Sequence, residues 1–144
     1  MKILVINGPN INMLGTREPA VYGGQTYMAL CQFIIDSANE LGVDVRLYQS
    51  NHEGDIVDEI QKAYDVYDGI VINPAAYSHS SIAIMDAIKA VSIPTVEVHL
   101  TDITKRENFR HTSFVSLACE QRYLGYNFEG YRMAMQYLCS KYYK

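Results

Sequence analysis

The chain opens Met1-Lys2-Ile3-Leu4-Val5-Ile6-Asn7-Gly8, and the run from Ile3 to Ile6 decides its fold class. Four consecutive apolar residues without polar alternation mark a strand buried on both faces, as in a covered parallel sheet. Downstream, Tyr27, Leu30, Cys31, Ile34, Ala38 and Leu41 recur at three- and four-residue spacing, with Gly42 where a helix cap belongs. Val43 to Tyr48 reads as a second strand. Val57, Ile60 and Tyr64 give the next helix, with Ser50 or Asn51 as cap candidates. Gly69 to Ile72 is a third buried strand ending at Asn73-Pro74. Ile82 to Val91 is helical and nearly all apolar, which predicts burial on more than one side. Pro94 introduces the strand Thr95 to Val98. A shorter strand is read at Arg122 to Leu124. Tyr131, Ala134, Met135, Leu138 and Tyr142 then place an amphipathic helix at the C-terminus.

Alternation of buried strands and helices implies an α/β three-layer sandwich, a parallel sheet covered on both faces. Five strands in 144 residues fit the flavodoxin-like order 2-1-3-4-5 better than a six-stranded dinucleotide-binding domain. The length predicts one domain spanning 1–144. Such a chain buries enough surface to need neither disulfides nor a structural metal. Hydrophobic residues at 49% and charged residues at 19% exclude a disordered chain. A net charge of −4 argues against a nucleic-acid partner. Three cysteines without C-x-x-C spacing suit reduced thiols. The short apolar N-terminal run and the lack of any 18-residue apolar stretch predict a soluble, cytoplasmic protein with no membrane partner.

In this sheet order ligands sit beyond the carboxyl ends of strands 1, 3 and 4. After strand 1, Asn7 to Gly24 forms a long segment with neither nucleotide-binding glycine pattern. Its length favours a binding loop over a plain surface connection. Gly15 and Gly23-Gly24 bracket Arg17 and Tyr22, the arrangement of a closing flap. A tyrosine becomes a base only when its anion is stabilised, and an adjacent arginine does that. After strand 3, Asn73-Pro74-Ala75-Ala76-Tyr77-Ser78-His79-Ser80-Ser81 lacks a serine-hydrolase elbow, and Ser80 or Ser81 suits a helix cap. Ala75 and Ala76 leave room for a ligand to approach the backbone.

On strand 4, Glu97 and His99 share one face at its carboxyl end. They read either as an acid–base pair, the glutamate fixing the imidazole tautomer, or as a structural His–Glu contact. The four histidines show no metal-ligand spacing. Arg106 and Arg110, four apart, are a solvated face or a clamp for a carboxylate or hydroxyls. Asp86, inside the apolar helix, either pairs internally or meets a neighbouring subunit.

Four segments together closely resemble the type II 3-dehydroquinate dehydratases: Ile6 to Asn10, Gly15 to Gly24, Asn73 to Ser81 and Glu97 to Ser116. The resemblance covers residues 3 to about 116 and, more loosely, the C-terminal helix. It implies a lyase of the shikimate pathway, in aromatic amino acid biosynthesis, that reversibly dehydrates 3-dehydroquinate to 3-dehydroshikimate. Quinate breakdown uses the same reaction, and a flavodoxin-like binding module is the non-catalytic alternative. It implies no cofactor, no metal and a homododecamer, a tetramer of trimers. By this likeness Tyr22 as tyrosinate takes a proton from C2, stabilised by Arg17. Asn10 holds a water that takes up enolate charge. His99, oriented by Glu97 and aided by Asn73, protonates the departing C1 hydroxyl. Leu100 and Thr101 hold the substrate carboxylate with Asn73. His79 and Arg110 hold ring oxygens, Arg106 supports the tyrosine, and Asp86 reaches a neighbouring subunit's site. The chain departs from the family pattern where glycines usually flank strand 5, with Gln121 and Asn127 in their place.

Overall fold

The computed structural model describes residues 1–16 and 25–143. A single five-stranded sheet runs β1 (Lys2–Asn7), β2 (Asp44–Gln49), β3 (Gly69–Asn73), β4 (Thr95–His99) and β5 (Gln121–Leu124). All neighbours pair in parallel, in the spatial order β2-β1-β3-β4-β5. Four helices cover it: α1 (Tyr27–Leu41), α2 (Glu53–Lys62), α3 (Ile82–Val91) and α4 (Glu129–Tyr142). This is the α/β flavodoxin-like sandwich that the buried strands predicted.

The two-residue period of the strands divides the core. Ile3, Val5, Val71, Val96 and Val98 face α1 and α4, against Leu30, Ile34, Tyr131, Ala134, Met135 and Leu138. Leu4, Ile6, Ile70 and Ile72 face α2 and α3, against Ile56, Ile60, Ile84, Ala87, Ile88 and Val91. Each buried aliphatic side chain contributes about 1.5–3 kcal/mol, so either layer holds the sheet firmly. The same period sends Asn7 and Asn73 towards α4, and Glu97 and His99 towards the opposite layer. Both sets emerge at the carboxyl edge.

Three local expectations change. The residue preceding α2 is His52, not Ser50 or Asn51. The Ser50 hydroxyl instead accepts the His52 N–H at 3.0 Å. Tyr64 lies beyond the end of α2 and is exposed. Helix α3 buries only Ile84, Ala87, Ile88 and Val91, while Ile82 and Asp86 face outward. An outer-layer helix has only one side against the sheet, so its remaining apolar residues stay uncovered within one chain. Gln121 is accommodated as an ordinary strand residue opposite Val96, and Asn127 takes the left-handed conformation with φ 54°.

Candidate active site

The carboxyl ends of β1, β3 and β4 frame one cleft, open to solvent. Pro9, Asn10 and Ile11 line it after β1. Asn73, Ala75, Ala76 and His79 come from the end of β3 and the turn beyond. His99, Leu100, Thr101, Ile103, Arg106 and Arg110 follow from β4. The described lining thus carries two arginines and two histidines, with no carboxylate and no lysine. Such a cleft concentrates anions.

Backbone approach creates the cleft. Asn7 and Asn73 pair in register, and the Gly8 N–H donates to the Asn73 carbonyl at 2.8 Å. A Cβ on Gly8 would stand 2.5 Å from the Pro74 carbonyl oxygen, so only glycine fits. Asn10 has φ 70° and Ala75 φ 52°, both left-handed. Two such residues facing one cleft are the kind of strained backbone that collects at functional sites. The Asn73 side chain steadies the second, its Oδ1 accepting the Ala75 N–H at 3.1 Å. Its amide Nδ2 donates at 2.9 Å to the hydroxyl of Tyr131 on α4. That hydroxyl donates to Asn7 Oδ1 at 2.6 Å.

On the other face of the sheet, Glu97 is fully buried and His99 is 5% exposed. Glu97 Oε1 lies 3.6 Å from His99 Nε2. The Ser78 hydroxyl sits between them, 3.1 Å from the carboxylate oxygen and 3.1 Å from the ring nitrogen. The Ser113 hydroxyl also donates to Oε1, at 2.7 Å, and Arg122 Nε stands 3.9 Å from Oε2. Burial pushes the Glu97 carboxyl up. His99, the Ser113 hydroxyl and the Arg122 charge outweigh it, so the group ends below its ordinary value and ionised.

His79 stacks beside His99 with ring centroids 6.4 Å apart, and its Nδ1–H donates to the Thr112 carbonyl at 2.7 Å. Burial holds its pKa below the ordinary histidine value, with help from the His99 and Arg110 charges. A neutral His79 therefore turns an Nε2 lone pair outward, suited to accepting a hydroxyl. Arg110 is held by an ion pair with Glu107, and the Arg106 carbonyl is paired with the His111 ring at 2.9 Å. Residues 103–110 form two short 3-10 turns rather than one helix, yet both arginines still reach the cleft.

Of the sequence candidates, Asn10, Asn73, His79, His99, Leu100, Thr101, Arg106 and Arg110 therefore meet at one cleft. Glu97 stands behind His99 and does not line it. Asp86 is exposed on α3, away from the lining, which removes a buried, internally paired acid, one of the two readings that the apolar helix allowed. Arg17 and Tyr22 lie outside the described residues. Ser78 and Tyr131 are functional candidates that the sequence reading missed, as is the support that Ser113 gives to Glu97 from outside the cleft. Ser78 was visible only as one polar residue in the Asn73–Ser81 segment, and Tyr131 only as a helix core position. Among the described residues, no three His, Cys, Asp or Glu side chains gather as a metal site would, and no helix is long and apolar enough to cross a membrane.

The family model described as dehydroquinase class II matches residues 1–139. A 3-dehydroquinate dehydratase of Clostridium acetobutylicum is 54% identical over 135 residues, 94% of this chain and 94% of that protein. One from Clostridium perfringens is 52% identical over 142 residues, 98% of this chain and 99% of the relative. Among solved structures, the type II dehydroquinase from Butyrivibrio crossotus superposes with a TM-score of 0.94 at 48% identity, covering 96% of this chain and 97% of that one.

Proposed function

The chain belongs to the class II dehydroquinase family and catalyses the dehydration of 3-dehydroquinate, and we propose that His99 is the acid that releases the hydroxyl. The observation that carries this assignment is the His99 imidazole, joined through Ser78 to the ionised Glu97 and bordering a cleft whose described lining has two arginines and no carboxylate.

Loss of water next to a ketone needs three things: a base for the C2 proton, a sink for enolate charge and an acid for the C1 hydroxyl. Tyr22 as tyrosinate, kept anionic by Arg17, takes the proton. The electron pair of the broken C2–H bond delocalises onto the ketone oxygen as the enolate, which a water beside Asn10 stabilises by donating a hydrogen bond. Enolate collapse expels the C1 hydroxyl, which leaves as water with the proton from His99. Asn73 and the backbone N–H groups of Leu100 and Thr101 hold the substrate carboxylate. His79 and Arg110 hold ring oxygens, and Arg106 supports the tyrosine. Glu97 orients His99 and stabilises its charged form. Lysine has no part, which separates this route from Schiff-base dehydration.

One domain, 1–144, carries the site in this reading, within a cytoplasmic homododecamer in which Asp86 reaches a neighbouring subunit's cleft. Its place is in the shikimate pathway, for aromatic amino acid biosynthesis. The test is direct: purified protein with dehydroquinate should develop the ultraviolet absorbance of a conjugated enone, and borohydride added with substrate should leave activity intact. Folded protein that forms no enone removes the reading. Inactivation by borohydride removes the lysine-free route.

A further inference from the structure

The Glu97 carboxylate and the His99 ring are 3.6 Å apart, too far for a direct hydrogen bond of normal strength. What touches both is the hydroxyl of Ser78, a side chain with no exposed surface. A serine hydroxyl has one proton to donate. The ionised Glu97 can only accept, and its Oε1 already receives the Ser113 hydroxyl. The Ser78 proton must therefore point at Oε1, because the reverse orientation would set two oxygen lone pairs against each other at 3.1 Å. With its proton committed, Ser78 Oγ can only accept from the imidazole. His99 Nε2 must then carry hydrogen in both the neutral and the charged ring.

We infer that Ser78 is a positioning residue for the dehydration: its hydroxyl, set between Glu97 and His99, pins the imidazole in the Nε2–H tautomer and leaves Nδ1 as the atom that carries the transferred proton. The inference rests on the assignment of His99 as the acid. The Nε2–H to Ser78 bond is stronger when the ring is charged, since charge-assisted bonds exceed neutral ones. The Ser78 hydroxyl thus favours the imidazolium that the acid step requires. Ser113 makes the contrasting contact. Its hydroxyl donates to the same carboxylate oxygen and accepts the Ser116 N–H, and it makes no hydrogen bond to the ring.

Other charges facing His99 set a constant background. Among the described residues these are His79 from the turn after β3, Arg106 and Arg110 from the segment after β4, and Arg122 of β5, which acts through Glu97. None is changed by substitution at Ser78 or Ser113.

Two measurements test the proposal. Long-range proton–nitrogen correlation spectra of the wild-type protein should show neutral His99 protonated at Nε2, and Ser78→Ala should mix the two tautomers. Wild-type protonation at Nδ1, or an unchanged spectrum in Ser78→Ala, overturns the inference. This arm needs no turnover, so it decides on Ser78 even if the enone assay fails. In kinetics, Ser78→Ala should lower kcat roughly 10- to 100-fold, a part of what general acid catalysis contributes, with KM within about twofold. The alkaline limb of its kcat profile should move to lower pH, because the charged ring has lost its acceptor. Ser113→Ala should keep the wild-type limb. A limb unmoved in Ser78→Ala, or moved equally by both substitutions, shows a merely structural hydroxyl and overturns the proposal.

Discussion

A carboxylate without exposed surface survives only if its oxygens are occupied, and Glu97 meets that condition on one side. Oε1 takes two hydroxyls, while among the described residues Oε2 has no hydrogen-bond partner and only Arg122 at 3.9 Å. The balance keeps its pKa below the ordinary glutamate value. Such a depressed group contributes stability that is present above the unfolded-state value and lost as pH falls through the folded one. Glu97→Gln should therefore cost roughly 1–3 kcal/mol at neutral pH, the range for a disturbed buried hydrogen-bond set. Thermal unfolding should show the gap between variant and wild type narrowing as pH drops below about 4. A gap that stays constant into acid would mean the charge contributes nothing. His79 carries the opposite demand, since burial keeps it neutral with Nε2 free to accept. His79→Ala should raise KM about tenfold, one hydrogen bond's worth, and change kcat far less. Equal losses in both would make it part of the chemistry. Glu97 and His99 were legible because a strand's period of two sets them on one face. Ser78 and Ser113 were not, because each meets Glu97 only in three dimensions, from 19 and 16 residues away, and serines in turns have ordinary uses as caps.

At the scale of elements, α4 does more than cover the sheet. Its period placed Tyr131 correctly in the core, but no local pattern tells where a buried hydroxyl finds partners. Here they come from β1 and β3, 124 and 58 residues away. Burial pushes the Tyr131 pKa far up despite the Asn73 contact, so it stays a neutral donor and acceptor. It accepts from Asn73 and donates to Asn7, which ties α4 to the two strand ends that form the cleft. Removing the hydroxyl leaves both amides with a buried unpaired atom. Tyr131→Phe should cost about 1–3 kcal/mol in chemical denaturation. If Asn73 binds the substrate carboxylate as proposed, KM should also rise, because the Asn73 amide has lost the hydroxyl that holds it. Unchanged KM with lower stability would confine Tyr131 to packing. The strands and helices themselves were legible almost throughout, since buried strands and one-sided helices each write their period into the chain. The misreadings fell where the period is silent: the start of α2, where Ser50 acts one step before the helix, and α3, whose apolar composition concealed that only one side meets the sheet.

At the scale of the molecule, the described cleft is framed at one edge of a single sheet and remains open. A small anion held there gains from further walls, and the proposed function assigns two sources for them. One is Arg17 and Tyr22, which lie outside the described residues. The other is a second copy, to which α3 offers exposed Ile82 and Asp86. If Asp86 completes a neighbour's site while Tyr22 serves its own, the two defects are complementary across subunits. Tyr22→Phe should fold normally and lose turnover by several orders of magnitude, and Asp86→Ala should be severely impaired in an intact assembly. Denatured together in equal amounts and refolded, they should regain activity. A mixed site works only where a subunit with Tyr22 adjoins one with Asp86, which random assembly gives at about one site in four. Light scattering on the mixture establishes that assembly occurred. Recovery near a quarter of the wild-type rate fits a shared site. An assembled mixture that stays as inactive as its parents would place Asp86 outside the neighbour's chemistry and leave each subunit to close its cleft alone.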